Sequence, residues 1–455
     1  MQGRKQQRHR FGGSGGTISV SKNLLDLIQN RRAQVAVVGC GYVGLPLALT
    51  LWRTGFRVFA VDIDKEKIAA LRACRPYVWG VEESELKQAL NSGDFVPTQY
   101  TDEAAKSDVV LLCLPTPLDE NNIPDLSALR QTAEWLSQHL RKGQLIVLES
   151  TTYPGTTEEV LRPILERSGL TADRDFYLAY APHRYDPGSK ERRIGDIPRV
   201  VGGVGDASLE VACAFYETFT PKVVRVSNTQ TAEAVKMLEN IFRAVNIALV
   251  NELKEVFMKL GVDTYEAIEA AATKPFGFMK FTPGPGFGGH CVPVDPFYLA
   301  WRAKQVGMEC DFVELAGRIN RQLASKIVWR ILTECARRGI NPSQTPFVII
   351  GVAYKPNIAD TRESPAFPIM RLLRSVGVSV CYHDPLVPKL PKLRLYPEFE
   401  GMASVELDRL SEKALVIVSD HDVVDYRSLL RAQVVFDTRF AMRKRGISGA
   451  TIVEV

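Results

Sequence analysis

The segment Gly284-Pro285-Gly286-Phe287-Gly288-Gly289-His290-Cys291-Val292-Pro293-Val294-Asp295-Pro296 carries the strongest reactive signal in the chain. It sets Cys291 in a glycine-rich loop, with the carboxylate of Asp295 four residues on. Glycine allows turns and close ligand approach that a side chain forbids. A thiol presented this way, once ionised, is a nucleophile for an electrophilic carbon. A thiol that only fills space would be buried and inert. The rest of the chain decides between the two.

A second pattern places a cofactor. Residues 34–39 are a β-branched run that predicts a strand, followed by Gly39-Cys40-Gly41-Tyr42-Val43-Gly44 and a helical stretch from Leu45 to Thr54. A second strand, Phe56 to Val61, ends at Asp62, 18 residues past Gly44. This is the dinucleotide-binding pattern in its required context. The glycines permit a tight turn, close approach to a pyrophosphate and close helix packing, and the helix N-terminus faces the phosphates. An acid at Asp62 hydrogen-bonds a ribose hydroxyl and repels a ribose phosphate, which favours NAD over NADP. The expected cofactor contacts are Gly39, Gly41, Tyr42, Val43, Gly44 and Asp62.

Further strands at Val109–Leu114 and Leu145–Leu148 run into the hydroxyl-bearing loops Pro115-Thr116-Pro117 and Ser150-Thr151-Thr152-Tyr153-Pro154. Such loops line the crevice of a parallel sheet. From Ser208 the pattern becomes helical. Thr231 to Leu260 predicts one long helix with Val235, Leu238, Ile241, Phe242 and Val245 as its packed stripe. Lys236 and Asn240, four apart, share a face of it. More helices are expected around 263–272, 293–306 and 311–338. Alternation returns at Pro346, with strands at 347–351, 378–382, 414–419 and 434–437 and a helix over 364–376. The expected fold is α/β, with two doubly wound Rossmann-like domains joined by a central all-helical domain. Its expected divisions are a basic, disordered tail and lead-in over 1–30, a NAD-binding domain over 31–207, a central domain over 208–340 and a second, smaller Rossmann-like domain without a dinucleotide motif over 341–455.

The chain has 455 residues, 45% hydrophobic and 24% charged, which is ordinary for a soluble multidomain protein. Its eight cysteines are scattered and form no Cys-x-x-Cys pair. That argues against a disulfide framework and against zinc, and predicts a reducing, cytoplasmic setting. No apolar run is long enough to span a bilayer, and no signal peptide opens the chain. The net charge of +5 is largely local, from Arg4, Lys5, Arg8 and Arg10. Neither nucleic acid, membrane nor metal is an expected partner.

With these motifs in hand, the chain resembles the UDP-glucose/GDP-mannose dehydrogenase family from about Gln34 to Val455. The carrying motifs are the Gly39–Gly44 loop, Pro115–Pro117, Ser150–Thr156, Lys236-x-x-x-Asn240, Gly288–Cys291 and Gly351–Lys355 through Arg362-Glu363-Ser364. Thr273–Phe278, joined to the cysteine loop, looks most like the branch that oxidises UDP-N-acetylhexosamines, UDP-N-acetylglucosamine above all. The resemblance implies NAD-dependent oxidation of a sugar C6 alcohol to a carboxylate by way of an aldehyde, serving surface polysaccharide synthesis.

The resemblance also assigns roles to residues. Cys291 would add to the aldehyde as a thiohemiacetal and pass through a thioester. Lys236 and Asn240 would hold the developing oxyanion, the lysine also acting as acid or base. Asp295 would position or deprotonate water or the lysine. Thr152 would hold the attacking water or the cofactor amide, and Thr116 would contact the cofactor. Lys355 and Arg362 would meet the nucleotide sugar or the NAD. Gly288, Arg184 and Arg243 would contact substrate, Arg243 from the central helix and towards a neighbouring subunit. A homodimer or higher homo-oligomer built on that helix is expected.

One departure matters. The family has Pro-Glu after the next strand, where this chain has Pro182-His183. A neutral imidazole can accept a proton near pH 7, so His183 can stand in as general base without the carboxylate's charge. The expectation is an active enzyme with His183 in that place. UDP-glucose as substrate, or a protein that binds NAD and a nucleotide sugar without full turnover, are the alternatives. A phosphogluconate-type dehydrogenase would leave the cysteine loop and the third α/β domain unexplained.

Overall fold

The computed structural model describes residues 22–119, 123–184, 196–289 and 293–455. The basic tail, His290, Cys291 and Val292 lie outside the described residues.

Short apolar runs buried on both faces build parallel sheets, because helices cover both sides. The first sheet contains β1 (Gln34–Val38), β2 (Arg57–Val61), β3 (Phe95–Thr98), β4 (Val109–Leu112), β5 (Leu145–Leu148), β6 (Tyr177–Tyr180), β7 (Arg199–Gly203) and β8 (Val223–Arg225). Their order is β3-β2-β1-β4-β5-β6-β7-β8, parallel except where β7 meets β6. Val35 of β1 pairs with Val58 on one side and Val109 on the other. Strand order therefore reverses between β1 and β4, and the crevice for a ligand opens at their carboxyl ends. The loops after β1, β4 and β5 all leave from that edge. A helix not foreseen in the sequence, Lys22–Gln29, precedes β1 and packs on the helix Asp206–Tyr216.

The central helices are Thr229–Lys259, Thr264–Ala272, Asp295–Gln305 and Asp311–Arg337. Asn228 starts the long one by accepting the Thr231 N–H at 2.8 Å, and Gly261, at φ 73°, ends it. The expected stripe is wrong at two positions: Leu238 is 69% exposed and Phe242 46%. The buried face carries Glu233, Lys236, Asn240, Asn251 and Lys254 between small residues. Polar chemistry has taken the inward side, and apolar side chains line the outward one.

The second sheet contains β9 (Phe347–Ile350), β10 (Val380–His383), β11 (Ala414–Ile417), β12 (Val434–Asp437) and β13 (Ile452–Glu454), all parallel in the order β10-β9-β11-β12-β13. The loop after β9 leaves at the switch point. Gly351 sits at φ 79°, where a Cβ would meet the Ser419 carbonyl oxygen at 2.2 Å. Farther along this loop, the Asn357 N–H donates to His421 Nδ1 at 2.9 Å. That leaves the proton on His421 Nε2, which donates to Asp384 at 3.1 Å. Asp384 also accepts the Val352 N–H at 2.8 Å, so one buried carboxylate fixes both ends of the segment carrying Lys355.

Candidate active site

The loop after β1 fits a dinucleotide. Nothing lies within 4 Å of where a Cβ on Gly41 would stand, so a pyrophosphate can come against the backbone there. Gly44 is constrained the other way, since a Cβ would sit 1.9 Å from the Gly39 carbonyl oxygen. Helix Gly44–Arg53 thus begins tight against the turn, with its N-terminus at the crevice. Asp62 accepts the Cys40 and Asp64 N–H groups, each at 2.9 Å, and pairs with Lys67 at 3.3 Å. Its two oxygens together offer about four lone-pair sites, which leaves room to accept one ribose hydroxyl as well. Arg362, from the second sheet's switch loop, lies 4.0 Å from the centroid of the Tyr42 ring and is braced on Asp360 at 2.8 Å. It closes the cradle from the other side.

The reactive cluster lies on the inward face of the long helix. Lys236 Nζ donates to the His183 carbonyl oxygen at 2.7 Å, and Asn240 Nδ2 donates to Asp295 Oδ2 at 2.5 Å. Lys236, Asn240, Asp295 and His183 are all buried. Burial pushes the Asp295 carboxyl up to about 7, against the pull of Lys236 and the Asn240 bond. Burial, with Arg199 and Lys236 adding to it, drives the His183 imidazole well below its usual value. His183 is therefore neutral at pH 7, and Asp295 is poised to gain or lose a proton there.

The other predicted residues fall around this cluster. Thr152 is fully buried, and its hydroxyl has no hydrogen-bond partner among the described residues. Thr116 Oγ1 donates to the Thr151 carbonyl oxygen at 2.8 Å, which ties the loops after β4 and β5 together. Gly288 and Gly289 must be small, because a Cβ on either would stand 2.9 Å from Tyr354, next to Lys355. The Gly289 N–H also donates to the Arg362 carbonyl oxygen at 3.1 Å. Gly288 and Gly289 are thus held against both Lys355's segment and the cofactor cradle. Arg184 pairs with Glu239 of the long helix at 2.6 Å. Arg243 stands apart: it is exposed, with no ion pair among the described residues.

Sequence reasoning missed the groups beneath the site. Arg199 donates to the Pro182 carbonyl oxygen at 3.1 Å and pairs with the fully buried Glu149 at 3.3 Å. Tyr216 donates to that same carboxylate at 2.5 Å. Two side chains, Arg199 and Lys236, therefore grip the successive carbonyl oxygens of Pro182 and His183, one on either side of the His183 α-carbon. Arg439, half-buried beneath Gly284 and donating to the Val418 carbonyl oxygen at 2.9 Å, was also unseen. No spacing signal pointed to Arg199 or Arg439. Glu233 had one, standing a single turn before Lys236.

Comparisons with known proteins follow this geometry. Residues 33–220 match the UDP-glucose/GDP-mannose dehydrogenase family, NAD binding domain; 230–322 match its central domain and 348–444 its UDP binding domain. The UDP-N-acetyl-D-glucosamine 6-dehydrogenase of Pseudomonas aeruginosa is 36% identical over 356 residues, 78% of this chain and 83% of that protein. The solved UDP-D-ManNAc dehydrogenase from Pyrococcus horikoshii superposes with a TM-score of 0.80 at 32% identity, covering 89% of this chain and 95% of that one. A UDP-glucose dehydrogenase structure from Pyrobaculum islandicum also gives 0.80, at 27% identity, covering 92% and 98%.

Proposed function

We propose, from a chain that belongs to the UDP-glucose/GDP-mannose dehydrogenase family and takes NAD as its cofactor, that it oxidises the C6 alcohol of UDP-N-acetylglucosamine, or of a related UDP-N-acetylhexosamine, to the uronic acid. The observation that carries this reading is the buried alignment of Lys236 and Asn240 on one helix face, bonded to the His183 backbone and to Asp295. NAD, when bound between the Gly39–Gly44 loop, Asp62 and Arg362, supplies a two-electron acceptor for each of two oxidations.

The chain's own residues do the rest. Lys236 and Asn240 stabilise negative charge on the C6 oxygen as its proton leaves. The Cys291 sulfur adds to the aldehyde carbon, forming a C–S bond and a thiohemiacetal hydroxyl. The second oxidation leaves a thioester. Water, held by Thr152 and deprotonated by Asp295, then adds to the thioester carbon. The C–S bond breaks, and the thiolate returns with a free carboxylate. Burial keeps bulk water from the aldehyde, so hydrolysis waits for the thioester. Lys355, Arg184 and Gly288 are assigned to the nucleotide sugar, with Arg243 reaching a neighbouring subunit. Leu238, Phe242, Leu249, Leu253 and Val256, exposed along the outward face of the long helix, support a second copy docking there.

The test is a substrate comparison on purified protein, which light scattering should show at twice the 50.6 kDa chain mass or more. UDP-N-acetylglucosamine is expected to exceed UDP-glucose in kcat/KM by about tenfold or more, since a site that takes the N-acetyl group loses those contacts when a hydroxyl replaces it. Preference for UDP-glucose would move the chain to the other branch. The neutral imidazole at His183 favours a second reading, a protein that binds both ligands and stalls before acid release.

A further inference from the structure

We propose that Glu233 is a positioning residue for this reaction: its carboxylate ties the loop carrying Thr152 to the helix carrying Lys236 and Asn240, and so sets where the Thr152 hydroxyl stands. The inference rests on the role given to Thr152 above.

Glu233, Lys236 and Asn240 stand at i, i+3 and i+7 on the long helix, so all three face inward together. Glu233 is completely buried. Its Oε2 accepts the Gly155 N–H at 2.6 Å, while Oε1 accepts the Thr157 N–H at 2.9 Å and the Thr157 hydroxyl at 2.7 Å. A buried carboxylate is a costly way to fill space, by several kcal/mol relative to water before its partners are counted. A leucine would pack the same volume without that cost. Three convergent donors from one short loop are the return.

The other end of the loop is held independently. The Thr116 hydroxyl bonds the Thr151 carbonyl oxygen, and the Tyr298 hydroxyl, from the helix Asp295–Gln305, bonds the Thr116 carbonyl oxygen. Between those ties stand only Thr152, Tyr153 and Pro154, and Gly155 turns at φ 106°. A Cβ on Gly155 would sit 2.7 Å from Glu159 Oε1, and the positive φ disfavours any side chain there. Fixing Thr151 and Gly155 fixes Thr152 between them. The buried phenol of Tyr180 on β6 stands within electrostatic reach of both Glu233 and Asp295. Glu158 is the other charged neighbour, and burial pushes the Glu233 carboxyl up to about 7.

Glutamine tests this, because its amide nitrogen cannot accept and sets a donor against a backbone N–H. Glu233→Gln, Thr152→Val and the double variant are compared with the parent for kcat and both KM values, with UDP-N-acetylglucosamine and NAD. Glu233→Gln is expected to lower kcat about 10- to 100-fold, the loss that follows from misplacing a reacting group by about 1 Å. Both KM values should stay within about threefold. The double variant should be no slower than Thr152→Val alone, since each change removes the same contribution. Multiplying losses, a change in KM alone, or a wild-type kcat in Glu233→Gln overturns the proposal. If that variant does not fold, Thr157→Val removes one of the three bonds and enters the same cycle with the same expectation. A wild-type kcat in Thr152→Val sinks the reading of Thr152, and this inference with it. An impaired Thr152→Val beside a normal Glu233→Gln sinks only the inference.

Discussion

Cys291→Ser is expected to produce no measurable UDP-uronate. kcat for acid formation should fall by about a thousandfold or more, while the KM for UDP-sugar and the affinity for NAD should change little. A thiol ionises close to neutral pH, whereas a serine hydroxyl needs a strong base beside it to become a comparable nucleophile. The two assigned groups do not meet that need: the His183 imidazole is held well below its usual value by burial, Arg199 and Lys236, and Asp295 is given to the hydrolytic water. Chromatography of the nucleotide products reads the outcome directly. Acid formed at the parental rate by the serine variant would mean that the aldehyde is oxidised as its hydrate, without a covalent bond to the protein.

Asp295→Asn has the second-largest expected effect, a loss of about a hundredfold or more in kcat, in the range that a general base contributes. The parent enzyme carries the same group in its pH profile. Asp295 must be ionised to take a proton, and burial holds it up to about 7, so kcat should fall about tenfold per pH unit below that value. The asparagine variant should lack that acid limb. His183 should not supply it, because burial, Arg199 and Lys236 hold its imidazole well below its usual value. Stability should move the opposite way. The folded-state value lies above the ordinary 3.8, so Asp295 favours the native state only while protonated. That contribution is complete below the unfolded value and is lost as pH rises from 3.8 to about 7. At pH 8 the asparagine variant should therefore melt higher than the parent, with the difference vanishing near pH 4. A surviving acid limb in the variant would assign it to another group.

Much of this was legible in the sequence because parallel strands buried on both faces read as plain apolar runs. Gln34–Val38, Leu145–Leu148, Phe347–Ile350 and Ala414–Ile417 are of that kind, and the Gly39–Gly44 motif locates the switch point between two of their neighbours. The long helix was legible in extent but not in orientation. Amphipathic logic turns Leu238 and Phe242 inward, yet the site needs Glu233, Lys236 and Asn240 there, and the apolar face is left outside. The polar ties were invisible for a different reason. Glu233 meets Gly155 across 78 positions and Arg199 meets Glu149 across 50, and no local pattern encodes such pairings. The reversal of β7 against β6 was hidden likewise, since strand direction depends on where the intervening chain returns.

The central claim is a complete two-step oxidation with His183 in a glutamate's place. The most direct test counts NADH formed per UDP-N-acetylglucosamine consumed by the purified protein, from the first turnover onward. Two NADH per sugar, sustained over many turnovers, is the predicted result. A burst of about two NADH and one sugar consumed per enzyme that then stalls would contradict it, leaving a protein that forms the thioester and cannot release the acid.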